Sequence, residues 1–177
     1  MLSKRTGLVD TSVRLRPTTS TDLDFVSALE RHPDQQPFIG QWTREEHLSA
    51  IERSDREHWI IESAASRGLL GYLITYDVRA AGYGVYVKRI AVSDKARGVG
   101  RRALYAVADH AFRDMQAASV CLAVRRFNER AQRSYRALGF VELPMTLAAR
   151  CDMTTAVDPF SDECLVMQLQ PEALRVP

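Results

Sequence analysis

Residues 97–102, in the order RGVGRR, have the types and spacing that bind a polyanion. An apolar run at 90–92 precedes them and apolar residues recur at helical spacing from Leu104, which predicts a strand, a tight turn and a helix. The first turn of a helix carries unpaired backbone N–H groups and partial positive charge. Gly98 and Gly100 let a phosphate approach those amides, and the arginines add fork-shaped donors. The stretch therefore predicts a pyrophosphate-binding turn.

An ordinary glycine turn before a surface helix with solvated arginines would use the same residue types, and short glycine motifs are weak signals by themselves. A second segment, NERAQRSYRALGF at 128–140, is relevant to that choice. Asn128 is suited to cap a helix there, Tyr135 lies on its apolar side, and Gly139 is a natural stop. We therefore predict a second helix, which follows a short apolar strand at 120–124.

The rest of the chain predicts a sheet that positions these two segments. Alternating residues predict a strand at 13–17, and helices are expected from Leu23 and after a Thr43 cap. The expected strands that follow lie at 58–64, 69–78, 86–92, 120–124, 140–143 and 164–169. The strands at 58–64, 69–78 and 86–92 form an antiparallel meander. A right-handed parallel crossover joins the strand at 86–92 to the strand at 120–124. That order places the glycine turn at the carboxyl end of a strand, where open sheets bind ligands.

The chain is expected to form one domain over residues 1–177, because no repeat or linker marks a boundary. Segments 1–10 and 170–177 are predicted to be loose ends, and 144–161 a long loop before the last strand, which should pair with the preceding strand.

Composition excludes several classes of protein. The net charge of +2 is small for a general nucleic-acid binder. Three widely spaced cysteines without a CxxC pair argue against a disulfide framework or a zinc site, and Cys121 reads as a core residue. No apolar run approaches the roughly 20 residues that span a bilayer, and the first ten residues lack a signal-peptide core. We expect a cytoplasmic protein without a membrane or nucleic-acid partner.

The two motifs together resemble those of the GNAT N-acetyltransferase superfamily, whose members carry an RxxGxG-type pyrophosphate turn and then an NxxAxxxYxxxGF segment. The residues that meet the second pattern are Asn128, Ala131, Tyr135, Gly139 and Phe140. The resemblance is close over residues 85–143 and covers the rest only in element order.

The resemblance implies an α/β (α+β) fold. Its mixed, mostly antiparallel central sheet would be flanked by helices and splayed open at the central parallel pair, between the strands at 86–92 and 120–124. Acetyl-CoA would lie in that gap as a cosubstrate, without a metal. The residues implied to bind it are Ile90, Ala91, Val92, Arg97, Gly98, Val99, Gly100, Arg101, Arg102 and Asn128. Residues 90–92 would pair with pantetheine as an added strand does, and residues 97–102 would hold the pyrophosphate.

The resemblance also implies roles in catalysis for two residues. Tyr135 would donate a proton to the departing sulfur, and Asn128 would bond the pantetheine or position the helix of Tyr135. Two simpler interpretations stay open, in which Tyr135 only packs in the core and Asn128 only caps its helix.

The chain departs from the family pattern at the general base. Relatives often carry a glutamate at positions that correspond here to Tyr86 and Ala123. Water, Tyr86, or a residue such as Glu30, His47 or Asp77 is a candidate to accept the proton of the amine. A substrate amine of low pKa and a loss of catalysis are the alternatives. A further departure is Lys95, where the family prefers glutamine or arginine, so the phosphate contacts there are open.

The leading hypothesis is transfer of acetyl from acetyl-CoA to a primary amine of a small molecule or peptide by direct attack. The alternative is a catalytically inactive acyl-CoA-binding sensor or regulatory module. Nucleic-acid binding through the arginines, including Arg125 and Arg126, is disfavoured because no aromatic stacking pattern accompanies them. The acceptor pocket is expected from residues 30–47, 77–84 and 144–161, and Phe38, Trp42 and His47 either line it or pack. A homodimer is compatible with the family.

Overall fold

A computed structural model of the chain describes residues 8–9, 12–78, 84–94, 97–144 and 164–177. The strands are β1 (Leu8–Val9), β2 (Val13–Pro17), β3 (Arg56–Ser63), β4 (Leu69–Tyr76), β5 (Val85–Val92), β6 (Val120–Arg125), β7 (Val141–Glu142) and β8 (Cys164–Leu169). The α-helices are α1 (Leu23–Arg31), α2 (Arg44–Glu52), α3 (Val99–Arg113) and α4 (Glu129–Leu138). None of the described helices is long and apolar enough to cross a membrane.

The strands form one sheet in the order β1-β2-β3-β4-β5-β6-β8-β7. Only β5 and β6 pair in parallel, and every other neighbouring pair of described strands is antiparallel. The parallel pair needs a crossover, which α3 supplies across one face of the sheet. The expected mixed, mostly antiparallel sheet with a central parallel pair is therefore confirmed.

Two apolar layers cover the faces of the sheet. Alternate strand residues enter one layer or the other, so Trp59 and Ile61 pack on the side of α3, whereas Ile60 packs with Val26 and Leu29 of α1. The α3 layer also includes residues of α4 and β8. The cleft described below opens within the sheet, between β5 and β6, and these two layers lie on either side of it.

The helix ends follow the predicted capping chemistry. Thr43 accepts a hydrogen bond from the Glu46 amide, and the Glu46 carboxylate accepts from the Thr43 amide at 2.7 Å, which completes a capping box. Asn128 caps α4, and Gly139 ends that helix with a positive φ of 104°. The predicted strand at 69–78 ends early, at Tyr76, because Asp77 adopts a left-handed φ of 64°.

The expectation of a loose end at 170–177 is corrected by the structure. Pro171–Ala173 form a short 3-10 helix, and the Arg175 amide donates to the Leu138 carbonyl at 3.0 Å. A Cβ on Gly139 would lie 2.0 Å from the Ala173 carbonyl oxygen, so this glycine is what allows the segment to approach. Leu8–Val9 pair with β2, and the remaining residues of 1–10 lie outside the described residues, as does most of the expected loop at 144–161.

Candidate functional site

The central parallel strands separate after three paired positions, which end at Val87 opposite Leu122. Both strands continue beyond that point, β5 to Val92 and β6 to Arg125. A bulge marks the start of the separation, because Val87 and Arg89 face consecutive residues of β4 and Lys88 is left as the extra residue. A bulge bends and twists its strand, which accounts for the divergence of β5 from β6. The sheet is therefore splayed open where the sequence predicted.

The separated strands form the walls of a cavity of about 730 Å³. This volume lies in the range of small-molecule sites. Its walls come from the loop after α1, from β5, from the turn into α3, from β6 and from α4. Residues that are far apart in the chain thus converge on one cleft, because parallel strands end at the same edge of a sheet.

The cleft edge of β5 presents backbone groups from alternate residues. The Ser93 amide donates to the Leu70 carbonyl of β4 at 2.8 Å, and bonded positions alternate along an antiparallel pair. The amide and carbonyl of Ala91 are therefore directed at β4, whereas those of Ile90 and Val92 face the cleft. Consistent with this, the Val92 carbonyl accepts a hydrogen bond from Gln35 Nε2 at 2.8 Å.

The predicted glycine turn opens α3 beside that edge. Gly98 precedes the helix with a left-handed φ of 70°, a conformation that strains any residue with a side chain. Val99 is buried and anchors the first turn to the core. A Cβ on Gly100 would lie 3.7 Å from Val92 Cγ1, an ordinary contact distance. Packing therefore does not require glycine at position 100, which lines the cavity.

The arginines of the turn differ in their surroundings. Arg97 is exposed, and its Nε lies 3.0 Å from Asp94 Oδ2. Arg101 lines the cavity, and its buried Nε has no hydrogen-bond partner among the described residues. Buried donors are rarely left unpaired, so this one is available for an anionic ligand. Lys95, the residue that departs from the family pattern, lies outside the described residues.

The first residues of α4 and Tyr135 line the opposite wall. Asn128 Oδ1 accepts from the Ala131 amide at 3.2 Å, which leaves the Asn128 side-chain amide as a donor. Tyr135 is half-buried, and its ring centroid lies 5.9 Å from that of Phe140. Burial raises the pKa of Tyr135 to about 12, so the phenol keeps its proton at neutral pH. The two residues therefore combine packing or capping with access to the cavity.

Neither position that relatives use for a glutamate holds a base here. Burial raises the pKa of Tyr86, which keeps the phenol neutral, and Ala123 lines the cavity without a titratable group. No Asp or Glu occurs among the described residues of the cavity wall. No group of three or more potential metal ligands is placed to hold an ion in the described parts of the chain.

Glu30, one candidate base, is fully buried in a hydrogen-bond network. Its carboxylate accepts from the Tyr72 hydroxyl and Arg89 Nη1, and from the Trp42 amide at 2.8 Å. Burial opposes ionisation, but the contacts with His47, Tyr72 and Trp42 and the charge of Arg89 lower the pKa of Glu30 to about 2. A carboxylate held this way is a weak base and a strong anchor for Arg89.

The two other candidate bases lie away from the cavity wall. His47 is fully buried, with Nδ1 3.0 Å from His58 Nε2, and His58 Nδ1 lies 2.8 Å from Thr18 Oγ1. Burial and the neighbouring His47 lower the pKa of His58 to about 3, so this imidazole is neutral. Asp77 follows β4 at the end where Tyr76 faces Tyr86 and the parallel strands are still paired.

The three residues suggested for an acceptor pocket have separate positions. Phe38 lines the cavity, and its ring centroid lies 5.7 Å from that of Phe127 across the cleft. Trp42 supports the guanidinium of Arg89, whose Cζ lies 4.3 Å from the indole centroid. His47 belongs to the buried series of hydrogen-bonded side chains that also contains His58 and Thr18. Sequence reasoning missed Arg89, because a single arginine in an apolar strand gives no local indication of its partner on α1.

The sequence matches the family model described as "Acetyltransferase (GNAT) domain" over residues 12–141. No curated protein matches the sequence. Many solved structures share the fold. A spermidine N-acetyltransferase from Vibrio cholerae in complex with CoA and spermine is 16% identical, with a TM-score of 0.73, and the alignment covers 93% of this chain and 98% of that chain.

Two further structures are similar at comparable levels. A domain from Methanocaldococcus jannaschii is 16% identical with a TM-score of 0.69, over 91% of this chain and 99% of that chain. A protein described as a putative acetyltransferase is 19% identical with a TM-score of 0.70, over 98% of this chain and 90% of that chain. At these identities the similarity establishes the fold alone.

Proposed function

The chain belongs to the GNAT acetyltransferase family and is an acyltransferase, and from this premise we propose that it transfers acetyl from acetyl-CoA to a primary amine of a small molecule or peptide. The observation that carries the proposal is the separation of β5 from β6 directly beside the glycine turn that opens α3. We propose that residues 1–177 act as one N-acetyltransferase domain.

The coenzyme side of the cleft suits an extended molecule with a diphosphate. The amides of residues 98–102 and the side chain of Arg101 would hold the diphosphate, with Arg97 and Arg102 adding charge. The backbone groups of Ile90 and Val92 would pair with the pantetheine amides as an added strand does. The Val92 carbonyl already accepts from Gln35, and a carbonyl with two lone pairs has room for a second donor.

The proposed reaction uses two contributions from the chain. The neutral amine attacks the thioester carbonyl carbon, the new C–N bond forms, and charge develops on the carbonyl oxygen. The Ile90 amide faces the cleft and can donate to that oxygen, a role worth about 3 kcal/mol for a single donor. The C–S bond then breaks, the Tyr135 phenol donates its proton to the sulfur as the thiol leaves, and the surplus proton on the former amine nitrogen returns through water to the phenolate.

The amine must lose a proton before it attacks. An alkyl amine with a pKa near 10.4 costs about 4 to 5 kcal/mol to neutralise at pH 7. The described wall offers no carboxylate for this step, so water is proposed to carry the proton away. This feature also supports the second candidate, a coenzyme-binding sensor that has lost turnover.

One experiment tests both candidates. The purified protein is titrated with CoA and acetyl-CoA by calorimetry, and thiol release is followed with a panel of amines. Binding together with amine-dependent thiol release supports the enzyme, whereas binding without release supports the sensor. A folded protein that ignores CoA at millimolar concentration contradicts both.

A further inference from the structure

We propose that Gln132 is a positioning residue for the coenzyme. Its side-chain amide fixes the turn between β6 and α4, and through that turn it places the Asn128 side chain in the wall of the cleft. The inference rests on the proposed function, since it concerns how the coenzyme site is held. Gln132 itself does not line the cavity, so its effect on a bound coenzyme must pass through other residues.

Gln132 is a buried polar residue of α4, and its side chain is fully engaged. It is only 6% exposed, and a buried side-chain amide costs free energy unless its donors and acceptor are paired. Its Nε2 donates to the Arg126 carbonyl at 2.7 Å and to the Arg125 carbonyl at 3.3 Å, and its Oε1 accepts from Arg136 Nη2 at 3.2 Å. Because carbonyl oxygens only accept, these contacts fix the orientation of the amide.

The turn that Gln132 holds leads from β6 into α4. The Asn128 amide donates back to the Arg125 carbonyl at 2.9 Å, so this carbonyl accepts from Asn128 and from Gln132. The Asn128 backbone has φ −86° and ψ 60°, which departs from the extended conformation usual for a residue that caps a helix. The local preference of Asn128 therefore does not fix this turn by itself, and the two bonds from Gln132 do so from within α4.

Asn128 is the residue through which the turn reaches the cavity. Its Oδ1 accepts from the Ala131 amide at 3.2 Å, so the helix cap uses the oxygen and leaves the side-chain NH2 group as a donor in the cavity wall. A donor that is held before binding loses less conformational entropy when it meets a ligand than a mobile donor does. Without the bonds from Gln132, the Asn128 contact with the coenzyme should be weakened.

Gln132→Met tests the inference, because it keeps the length of the side chain and removes both donors. We expect the dissociation constant of CoA, measured by calorimetry, to rise about tenfold, the size expected for one or two lost hydrogen bonds. KM for acetyl-CoA should rise similarly while kcat changes less than about twofold, because neither Tyr135 nor Ile90 belongs to the turn. Arg136→Met is the matched control, since it removes only the bond that Gln132 accepts from an exposed residue and should leave CoA affinity unchanged.

A double-mutant cycle shows whether Gln132 acts through Asn128. Asn128→Ser keeps a capping oxygen and removes the side-chain amide, so it should weaken CoA binding by itself. If Gln132 works by placing that amide, Gln132→Met should cause no further loss in the Asn128→Ser protein. Additive losses, or full CoA affinity in Gln132→Met, would overturn the inference.

Gln132→Glu replaces the methionine variant if that variant fails to fold. At neutral pH its carboxylate keeps an acceptor for Arg136 and has no donor for the two carbonyls, so the same cycle applies. An effect of the added charge on CoA through space would persist in the Asn128→Ser protein, and that result would overturn the inference. The native protein separates the two proposals: failure to bind CoA contradicts the proposed function, whereas CoA binding that is insensitive to Gln132 contradicts this inference alone.

Discussion

The two sides of the cleft are built in different ways. On the α3 side, a continuous stretch of chain supplies the backbone amides, glycines and arginines of the turn that opens α3. On the α1 side, Arg89 is held by the Glu30 carboxylate, 59 residues earlier in the chain, and by the Trp42 ring. One local motif therefore builds the α3 side, whereas contacts between distant elements build the α1 side.

Burial makes the α1 side the more fragile of the two. Glu30→Gln removes the counter-ion of Arg89 and leaves a buried guanidinium with a neutral partner. We expect a loss of about 3 kcal/mol in the free energy of unfolding, the low end for breaking a buried pair. Urea titration measures the loss, and Glu129→Gln is the control, because its pair with Arg133 is exposed and should contribute under about 1 kcal/mol. Equal effects of the two variants would remove the contrast between the sides.

Acid should weaken the α1 side in a defined window of pH. The folded state lowers the pKa of Glu30 from 4.5 to about 2, so its ionised form contributes stability above pH 4.5. That contribution is lost as pH falls toward 2, because the carboxylate must then be protonated against its partners. The stability difference between the native protein and Glu30→Gln should therefore shrink between pH 4.5 and 2. A constant difference across this window would show that Glu30 is not held as an anion.

Tyr135 tests whether the wall opposite the glycine turn is catalytic or only packed. Tyr135→Phe keeps the ring that contacts Phe140 and removes the hydroxyl. If the phenol protonates the leaving sulfur, kcat should fall about 100-fold while the dissociation constant of CoA changes little. Because the pKa of Tyr135 is raised to about 12, no loss of activity from its ionisation is expected below pH 10. An unchanged kcat would assign Tyr135 to packing.

Substitution of the two glycines of the turn should have the smallest effects, and it separates effects on stability from effects on CoA binding. Gly100→Ala meets no close contact and replaces glycine in a helix, so stability should rise by up to about 1 kcal/mol. Because Gly100 lines the cavity, its added methyl group should narrow the proposed diphosphate site, and CoA affinity should fall about tenfold.

Gly98→Ala should lower stability, in contrast to Gly100→Ala. Its added Cβ lies in open space but must adopt a positive φ, at a cost of about 1 kcal/mol. Thermal unfolding and calorimetry measure both variants. A Gly100→Ala protein that binds CoA normally would place the diphosphate elsewhere.

Much of the fold was predictable from short stretches of sequence. The capping box at Thr43, the helix stop at Gly139 and the strand that leads into the glycine turn are each decided by neighbouring residues. The docked end at 171–173 was not predicted, because it depends on the space that Gly139 leaves for a carbonyl more than thirty residues later.

The sequence by itself determined the family, the glycine turn that opens α3 and the crossover between the parallel strands, since periodicity, caps and glycines act within a few residues. Tertiary structure decided the contacts and charge of the α1 side. The bulge at Lys88 marks where the strands part, and the packing of α1 on the sheet brings Glu30 to Arg89. The physical reason is that a buried ion pair depends on which distant elements pack together, and neighbouring residues carry no record of that packing.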